Sequence, residues 1–225
     1  MAPRPTLVRE RAVWAEEHLL VGVDEAGRGP LAGPVVAAAV VFPIGCAAVR
    51  GLRDSKVLPA SVRARLAERV RRRAMAFGVG AASAHEIDRY NIRVASAIAM
   101  RRAIACLIRR SPLARFPLGQ SRGLLDSGQP YRIIIDGLPL PEIGYAHEAL
   151  VDGDARCQSI SAAAILAKTV RDRLMHRLAT RHPGYGWDTN VGYGTEEHQE
   201  GLRLNGPTRH HRLTFAPLAQ LTLSL

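Results

Sequence analysis

Cysteine is scarce in this chain of 225 residues, and its scarcity argues against two kinds of site. The three cysteines, Cys46, Cys106 and Cys157, are odd in number, far apart and without a C-x-x-C pair. This spacing speaks against a disulfide framework and against a zinc site built from cysteine. We therefore expect three free thiols that are buried or half-buried.

Long apolar runs are also missing. No stretch reaches the roughly 18–20 apolar residues that a membrane-spanning helix needs. The first residues, Met1 to Glu17, carry scattered charges and lack the pattern of a secretory signal. We therefore expect a cytoplasmic protein without a membrane partner. The apolar fraction, 47%, is sufficient for the core of one sizeable domain.

Acidic residues are outnumbered by basic ones. The chain has 20 Asp and Glu against 31 Lys and Arg, a net charge of +11. This surplus favours a polyanionic partner such as nucleic acid or anionic lipid, although Arg-rich proteomes produce the same balance. Basic runs lie at residues 63–73 and 101–110, where a solvated helix face and a contact to duplex nucleic acid are both possible.

Hydrophobic patterning predicts a mixed α/β sheet. Strands are predicted at residues 19–24, 34–42, 77–83, 131–136 and 147–151. Helices are predicted at residues 61–76, 84–88, 94–110, 159–181 and 195–204. Ser159 or Ser161 is the expected cap of the long helix. The short connection between the first two strands implies antiparallel pairing, with parallel pairing on the other side of the sheet. Residues 111–130, rich in Pro and Gly, are predicted to form a long loop.

Acidic residues close two of the predicted strands. Asp24 and Glu25 end the first strand, Asp136 ends the fourth, and Asp154 stands between the fifth strand and the long helix. Ligands of α/β proteins bind where strands end. Crowded acids repel one another unless cations lie between them, and Mg²⁺ and Mn²⁺ prefer such oxygen ligands. A single Asp is usually a solvated turn residue, but the adjacent pair Asp24 and Glu25 favours a metal site.

The turn that follows, Gly27 to Gly33, admits two interpretations. A dinucleotide-binding loop is not one of them, because Pro30 and Pro34 interrupt the pattern and a Val/Ala strand follows instead of a helix. The first interpretation is a tight hairpin turn. The second is a backbone that lies against a ribose-phosphate, where main-chain groups can read a 2′-hydroxyl.

The segment from Gly22 to Val40 resembles the opening signature of the type 2 ribonucleases H, the ribonuclease HII family. Further matches follow in the order of that family, and together they span about residues 19–218. They are LRDSK at 52–56, EIDRYNI at 86–92, IIDG at 134–137, GD at 153–154, ISAA at 160–163, AK at 167–168, RD at 171–172, GYGT at 192–195 with His198, and HHR at 210–212 with Phe215 and Pro217. So many ordered matches leave little room for chance.

The resemblance implies an α/β, ribonuclease H-like fold: a mixed five-stranded sheet flanked by helices, with a C-terminal helical extension. It implies an N-terminal segment at 1–18, a catalytic domain at 19–181, and an extension at 182–225 that completes the substrate site. The implied enzyme is an endonuclease that hydrolyses the RNA strand of RNA–DNA hybrids and single ribonucleotides embedded in duplex DNA, as in ribonucleotide excision repair. Its ions would be Mg²⁺ or Mn²⁺, and its products a 3′-hydroxyl and a 5′-phosphate.

The resemblance also implies roles for individual residues. The catalytic metal ligands would be Asp24, Glu25, Asp136 and Asp154, with Asp24 and Asp136 shared between two ions. Substrate contacts would be made by Gly27, Arg28 and Gly29 around the ribonucleotide and its 2′-hydroxyl, by Tyr193 stacked on the following deoxyribose, and by Lys56 and Lys168 on phosphates.

Some positions depart from the family pattern. Asp152 stands where the family often has Lys, which leaves open whether Asp152 or Asp154 is the ligand; the preceding Gly153 and the helix spacing favour Asp154. Ala164 replaces a usual Ser, and residues 111–130 are longer than expected. For His210 and His211 we expect a structural or phosphate-facing role and not a metal-binding one.

The last residues, Gln220 to Leu225, resemble the short peptides by which replication and repair proteins bind the sliding clamp. An apolar tail that folds back or frays is the alternative. Two rival functions also remain: a binding module that has lost catalysis, and a nuclease of the same fold that acts on DNA alone. The four acids oppose the first rival, and the turn at Gly27 and the segment around Tyr193 oppose the second. We expect a monomer.

Overall fold

The computed structural model describes residues 4–111, 131–216 and 218–222, with only the backbone of Leu221 and Thr222. Most of the predicted loop at 111–130 and the last three residues of the clamp-like peptide lie outside the described residues. No helix in the described part of the chain is both long enough and apolar enough to cross a membrane.

A five-stranded sheet forms the centre of the fold, as predicted. Its strands are β1 (Leu19–Ala26), β2 (Val35–Val41), β3 (Ala76–Ala82), β4 (Tyr131–Asp136) and β5 (Glu148–Leu150). Their order across the sheet is β3-β2-β1-β4-β5. The pairs β1–β2 and β2–β3 are antiparallel, whereas β1–β4 and β4–β5 are parallel. Because β1 and β4 run in the same direction, their acidic ends meet at one edge.

Helices cover both faces of the sheet. They are α1 (Val8–Trp14), α2 (Ala60–Arg73), α3 (Ala84–Arg109), α4 (Gly153–Arg156), α5 (Gln158–Arg181), α6 (Trp187–Asn190), α7 (Glu196–Asn205) and α8 (Leu218–Thr222). Strand β2 is buried throughout because alternate side chains face opposite layers: Ala37 and Ala39 join the core with α3, and Ala38 and Val40 join the core with α2 and α5.

Some predicted boundaries were confirmed and others were wrong. The two helices expected at 84–88 and 94–110 are the two parts of α3, which are separated at Asn91 (φ 66°), where the backbone is not helical. The N-cap position of α5 is Cys157, and not Ser159 or Ser161, both of which are buried inside its first turn. The segment between β1 and β2 is an eight-residue loop and not a tight hairpin, since pairing ends at Ala26 opposite Val36.

Close packing between α5 and β1 fixes the acidic end of β1. A Cβ atom on Gly22 would lie 2.5 Å from Cβ of Ser159, and closer still to the backbone of Ser159 and Ile160. Only glycine therefore allows this helix to approach the strand at its observed distance. Asp24 follows two residues later, so this contact positions the candidate site.

Helix α1 was not predicted, and it ties the N-terminal segment to the start of α5. Its Glu10 is completely buried, and one carboxylate oxygen accepts hydrogen bonds from the N–H of Ser159 (2.8 Å), the hydroxyl of Ser159 (2.9 Å) and the thiol of Cys157. The carboxylate stabilises the N-terminus of α5 in the way that a capping side chain does.

The C-terminal part of the chain forms a smaller core beside the sheet. Its buried members include Leu31 from the β1–β2 loop and Met175 from α5, together with Tyr185, Trp187, Leu202 and Leu218. The C-terminal helices thus pack directly on the loop that follows the acidic end of β1.

Candidate active site

The four predicted acids come from three elements that meet at one edge of the sheet. Asp24 and Glu25 lie near the end of β1, and Asp136 is the last residue of β4. Val23 pairs with Ile135 in the parallel register, so Asp24 and Asp136 are the next residues along two adjacent strands. Asp154 lies in α4, whose first N–H, that of Gly153, donates to Oδ1 of Asp136 over 2.7 Å.

Burial and mutual repulsion raise the pKa values of three of these acids. Burial has the largest effect on the Asp24 carboxyl, whose pKa lies well above its usual range, and the charges of Glu25, Asp136 and Asp154 raise it further. Burial also raises the pKa of Glu25, although the positive charge of Arg28 opposes this effect. The pKa of Asp154 is raised by burial and by the negative charges of Asp136 and Asp54. Each acid is therefore within electrostatic reach of at least one other.

The donor set suits hard divalent cations. All four side chains offer carboxylate oxygens, which Mg²⁺ and Mn²⁺ prefer, and a cation among them would offset the repulsion that raises their pKa values. In the described ranges, no three acidic, histidine or cysteine side chains are close enough together to form a finished ligand cage.

Asp152 and Asp154 have different surroundings. Asp152 is exposed and has a left-handed backbone conformation (φ 55°) just before α4. Asp154 is half-buried and interacts with the charge of Asp136. Asp154 is therefore the one of the two that faces the other acids.

Asp54 and Lys56 also belong to this edge. Their charges act on the Asp154 carboxyl in opposite senses, Asp54 raising its pKa and Lys56 lowering it. The Asp54 carboxylate accepts a hydrogen bond from the N–H of Lys56 over 2.9 Å, which closes the turn. The LRDSK match drew attention to this segment, but the position of Asp54 beside Asp154 depends on long-range folding and was not predicted.

The loop after β1 brings the predicted substrate residues together. Gly27 has φ 95°, and a Cβ atom there would lie 2.9 Å from Cζ of the buried Arg171 and nearer still to its Nε, so glycine is required. Arg28 is exposed and forms an ion pair with Glu25 at 3.2 Å. A Cβ atom on Gly29 would lie 3.9 Å from the Tyr193 ring, so the loop and this tyrosine line the same surface.

Tyr193 is 44% exposed and lies next to a lysine. The ammonium of Lys168 is 5.9 Å from the centre of the Tyr193 ring and 2.9 Å from Asp172. Asp172 also pairs with the buried Arg63 at 2.6 Å, and Arg63 donates to the backbone oxygen of Ser55. Of the basic run at 63–73, Arg63 thus has a structural position, linking α5 to the turn that carries Lys56.

Comparison with known proteins identifies the family. The sequence model of the family described as Ribonuclease HII matches residues 21–111 and 129–218, most of the chain. The chain belongs to the ribonuclease HII family. Members of this family are endoribonucleases of the ribonuclease H type, so the chain is a hydrolase that acts on RNA–DNA hybrids. Divalent-metal dependence is typical of the family.

Named relatives cover nearly the full length. The chain is 46% identical over 221 residues to a Ribonuclease HII of Synechococcus sp. (strain JA-3-3Ab), covering 97% of this chain and 91% of the relative. It is 47% identical over 216 residues to that of Sphingopyxis alaskensis, covering 95% and 98%. The crystal structure of ribonuclease H2 from Pyrococcus horikoshii OT3 shares the fold, with a TM-score of 0.67 and 23% identity over 92% of this chain and 98% of that one. The family and the fold expected from the sequence are confirmed.

Proposed function

We propose that this ribonuclease HII hydrolyses the phosphodiester bond on the 5′ side of a ribonucleotide, with two divalent ions held by Asp24, Glu25, Asp136 and Asp154. The observation that supports this proposal best is the strand register, which places Asp24 and Asp136 side by side, with the helix that carries Asp154 hydrogen-bonded to Asp136. When bound, such ions activate a water molecule and stabilise the leaving oxygen. The carboxylates hold the ions, and the neighbouring Lys56 contacts the phosphate.

Mg²⁺ and Mn²⁺ are the proposed ions. The all-oxygen donor set supports them, and a solved structure of the same fold, that of Bst-RNase HIII at 19% identity, is described as a complex with Mn²⁺. The low identity means that this neighbour supports the fold and only illustrates the chemistry.

Selection of the ribonucleotide is proposed for the loop at Gly27, Arg28 and Gly29 together with Tyr193. The nearness of Gly29 to the Tyr193 ring supports one continuous surface, on which the loop backbone binds the 2′-hydroxyl and the tyrosine stacks on the following deoxyribose. Lys168, held beside the ring by Asp172, contacts a flanking phosphate. In this proposal residues 19–181 form the catalytic domain, and residues 182–225 complete the substrate site. Single ribonucleotides embedded in DNA are substrates too, as required for ribonucleotide excision repair.

A sliding clamp is the proposed protein partner. One structure of the same fold, at 23% identity, is described as a PCNA:RNase HII complex from Archaeoglobus fulgidus. Here the proposed contact is Gln220 to Leu225, of which residues 223–225 lie outside the described part. Deleting residues 220–225 should abolish clamp binding, measured by surface plasmon resonance with the purified bacterial clamp, and leave cleavage intact because Leu218, in the C-terminal core, is retained. Unchanged clamp affinity would contradict the proposal.

A duplex DNA with one embedded ribonucleotide tests the proposed activity. We expect Mg²⁺- or Mn²⁺-dependent cleavage on the 5′ side of the ribonucleotide, and no cleavage of the same duplex made entirely of DNA. Asp154→Asn should abolish cleavage, and the matched change Asp152→Asn, at an exposed position two residues away, should retain it. Cleavage of the all-DNA duplex would favour a DNA nuclease, and binding without cleavage would favour a module that has lost catalysis.

A further inference from the structure

Two completely buried arginines lie beneath the loop at Gly27, Arg28 and Gly29. Arg171 comes from α5 and Arg212 from the C-terminal segment after α7, and both have no exposed surface. Burying a charged group is costly unless its donors are satisfied. Within the described residues, the hydrogen bonds of both guanidinium groups go to backbone carbonyl oxygens, and neither arginine forms an ion pair.

Arg212 forms hydrogen bonds to both ends of the loop. Its Nη2 donates to the carbonyl of Gly27 (2.6 Å), its Nη1 to that of Arg28 (2.8 Å), and its Nε and Nη2 to that of Gly33 (3.0 and 2.9 Å). The flat guanidinium fork suits this task because it presents several donors in one fixed plane.

Arg171 holds the loop to the segment before Tyr193. It donates to the carbonyl of Ala32 (3.1 Å), that of Pro34 (3.1 Å) and that of Val191 (3.0 Å). Two backbone hydrogen bonds add to these contacts. The N–H of Leu31 donates to the carbonyl of Gly192 (2.8 Å), and the N–H of Arg212 donates to the carbonyl of Leu31 (2.9 Å). The loop, Tyr193 and the C-terminal segment are thus joined through the two arginines.

The direction of the Gly27 and Arg28 carbonyls determines where the following N–H groups of the loop point. In a trans peptide the C=O and the following N–H point in opposite directions. Since Gly27 and Arg28 turn their carbonyls towards Arg212, the N–H groups of Arg28 and Gly29 point away from it. In the described part of the chain neither N–H donates a hydrogen bond. Two adjacent, outward N–H groups with buried positive charge behind them form a cradle for an oxygen-rich ligand.

We propose that Arg212, supported by Arg171, is a positioning residue for ribonucleotide selection: its guanidinium fork holds the loop so that the N–H groups of Arg28 and Gly29 face the ribose. This inference rests on the proposed function. Arg212 touches neither substrate nor ions; it acts through the loop backbone. A merely structural arginine would stabilise the fold equally well without influencing the preference for a ribonucleotide.

Binding of two matched duplexes separates these roles. One duplex is all DNA, the other differs by a single ribonucleotide, and equilibrium binding is measured in EDTA so that nothing is cleaved. Arg212→Lys keeps the positive charge, but a single ammonium cannot span three carbonyls. We expect the preference for the ribonucleotide duplex to fall by roughly tenfold, the effect of about one good hydrogen bond. A smaller folded fraction alone would lower the amount of active protein and leave the preference unchanged.

Arg101→Lys is the matched control. Arg101 also donates to backbone carbonyls, those of Glu142 and Ile143, but it lies on α3 away from the loop. The Arg101→Lys protein should keep the wild-type preference for the ribonucleotide duplex. An Arg212→Lys protein with the wild-type preference overturns the inference. A wild-type protein without any preference would instead contradict the proposed selection of ribonucleotides, so the two failures are distinguishable.

A measurement on the wild-type protein decides the matter should Arg212→Lys fail to fold. Amide hydrogen exchange, followed by NMR, reports the N–H groups of Arg28 and Gly29 directly. We expect both to be more protected by the ribonucleotide duplex than by the all-DNA duplex. Equal protection by the two duplexes, in a wild-type protein that binds the ribonucleotide duplex more tightly, overturns the inference.

Discussion

Replacing Gly22 by alanine introduces one methyl group at the tightest point between β1 and α5. The added Cβ would lie 2.5 Å from Cβ of Ser159 and closer to backbone atoms, whereas ordinary contacts are 3.4–4 Å. The helix must therefore move by about 1 Å, because a backbone cannot rotate aside as a side chain can. Overpacking of this kind costs about 3 kcal/mol. For a chain of this size the melting temperature should fall by about 6–12 °C.

The same displacement should impair catalysis in the molecules that remain folded. Asp24 is two residues from Gly22 on the same strand, and a shift of about 1 Å in a reacting group can reduce the rate by about one-hundredfold. Cleavage should be measured well below the melting temperature, on the duplex with one ribonucleotide, and corrected for the folded fraction by circular dichroism.

Gly80→Ala is the matched control for this prediction. A Cβ atom there would lie 2.5 Å from the backbone nitrogen of Ala103 in α3, an equally severe clash. Gly80 lies in β3, at the opposite edge of the sheet from β4 and β5. The Gly80→Ala substitution should lower the melting temperature by a similar amount and leave the activity per folded molecule near the wild-type value. Wild-type stability and rate in Gly22→Ala, or equal losses of activity in both variants, would refute the reasoning.

Three further predictions concern the acids and the buried polar groups. Asp24→Asn should abolish cleavage and raise the melting temperature measured in EDTA, because it removes a buried charge that its neighbours repel; a lower melting temperature would contradict this. Burial lowers the pKa of His211 to about 4, so the unfolded chain binds a proton that the folded one does not, and stability should fall by roughly 3 kcal/mol as pH drops from 6.5 to 4. In the His211→Gln protein, urea titrations should show a smaller loss of stability over the same pH range. Glu10→Ala should destabilise the protein by about 2 kcal/mol, because it leaves donors at the start of α5 unsatisfied; unchanged urea midpoints would exclude that role.

The buried pair His198 and His211 shows why a shifted pKa cannot be predicted from the sequence. His198 donates from Nδ1 to the carbonyl of Tyr193 (2.9 Å), and its Nε2 accepts from Trp187 (3.1 Å) and from His211 (3.0 Å). Nδ1 of His211 in turn accepts from the N–H of Thr208 (2.8 Å). Every ring nitrogen is used only if both histidines are neutral. The sequence placed His211 among basic residues and gave no sign of this burial.

Residues that form local patterns were predictable. Alternation and apolar runs predicted all five strands, since these patterns report burial on one or both faces. The acids at the ends of β1 and β4 were predicted to form one site because α/β proteins bind ligands where strands end, and the structure brings Asp24 and Asp136 into adjacent positions. The break between the two parts of α3 at Asn91 was predicted as well, whereas helix α1, which packs through Glu10 against the distant start of α5, was not.

Taken alone, the amino-acid order determined the family, the sheet and the acids of the candidate site, because ordered motifs and hydrophobic periodicity are local properties of the chain. Tertiary structure alone decided which distant groups became neighbours: Asp54 beside Asp154, Glu10 beneath the start of α5, and Arg171 and Arg212 beneath the loop. An arginine in a sequence is expected to be exposed. It can be buried only where the fold supplies enough carbonyl oxygens to satisfy its donors, and no local pattern records that supply.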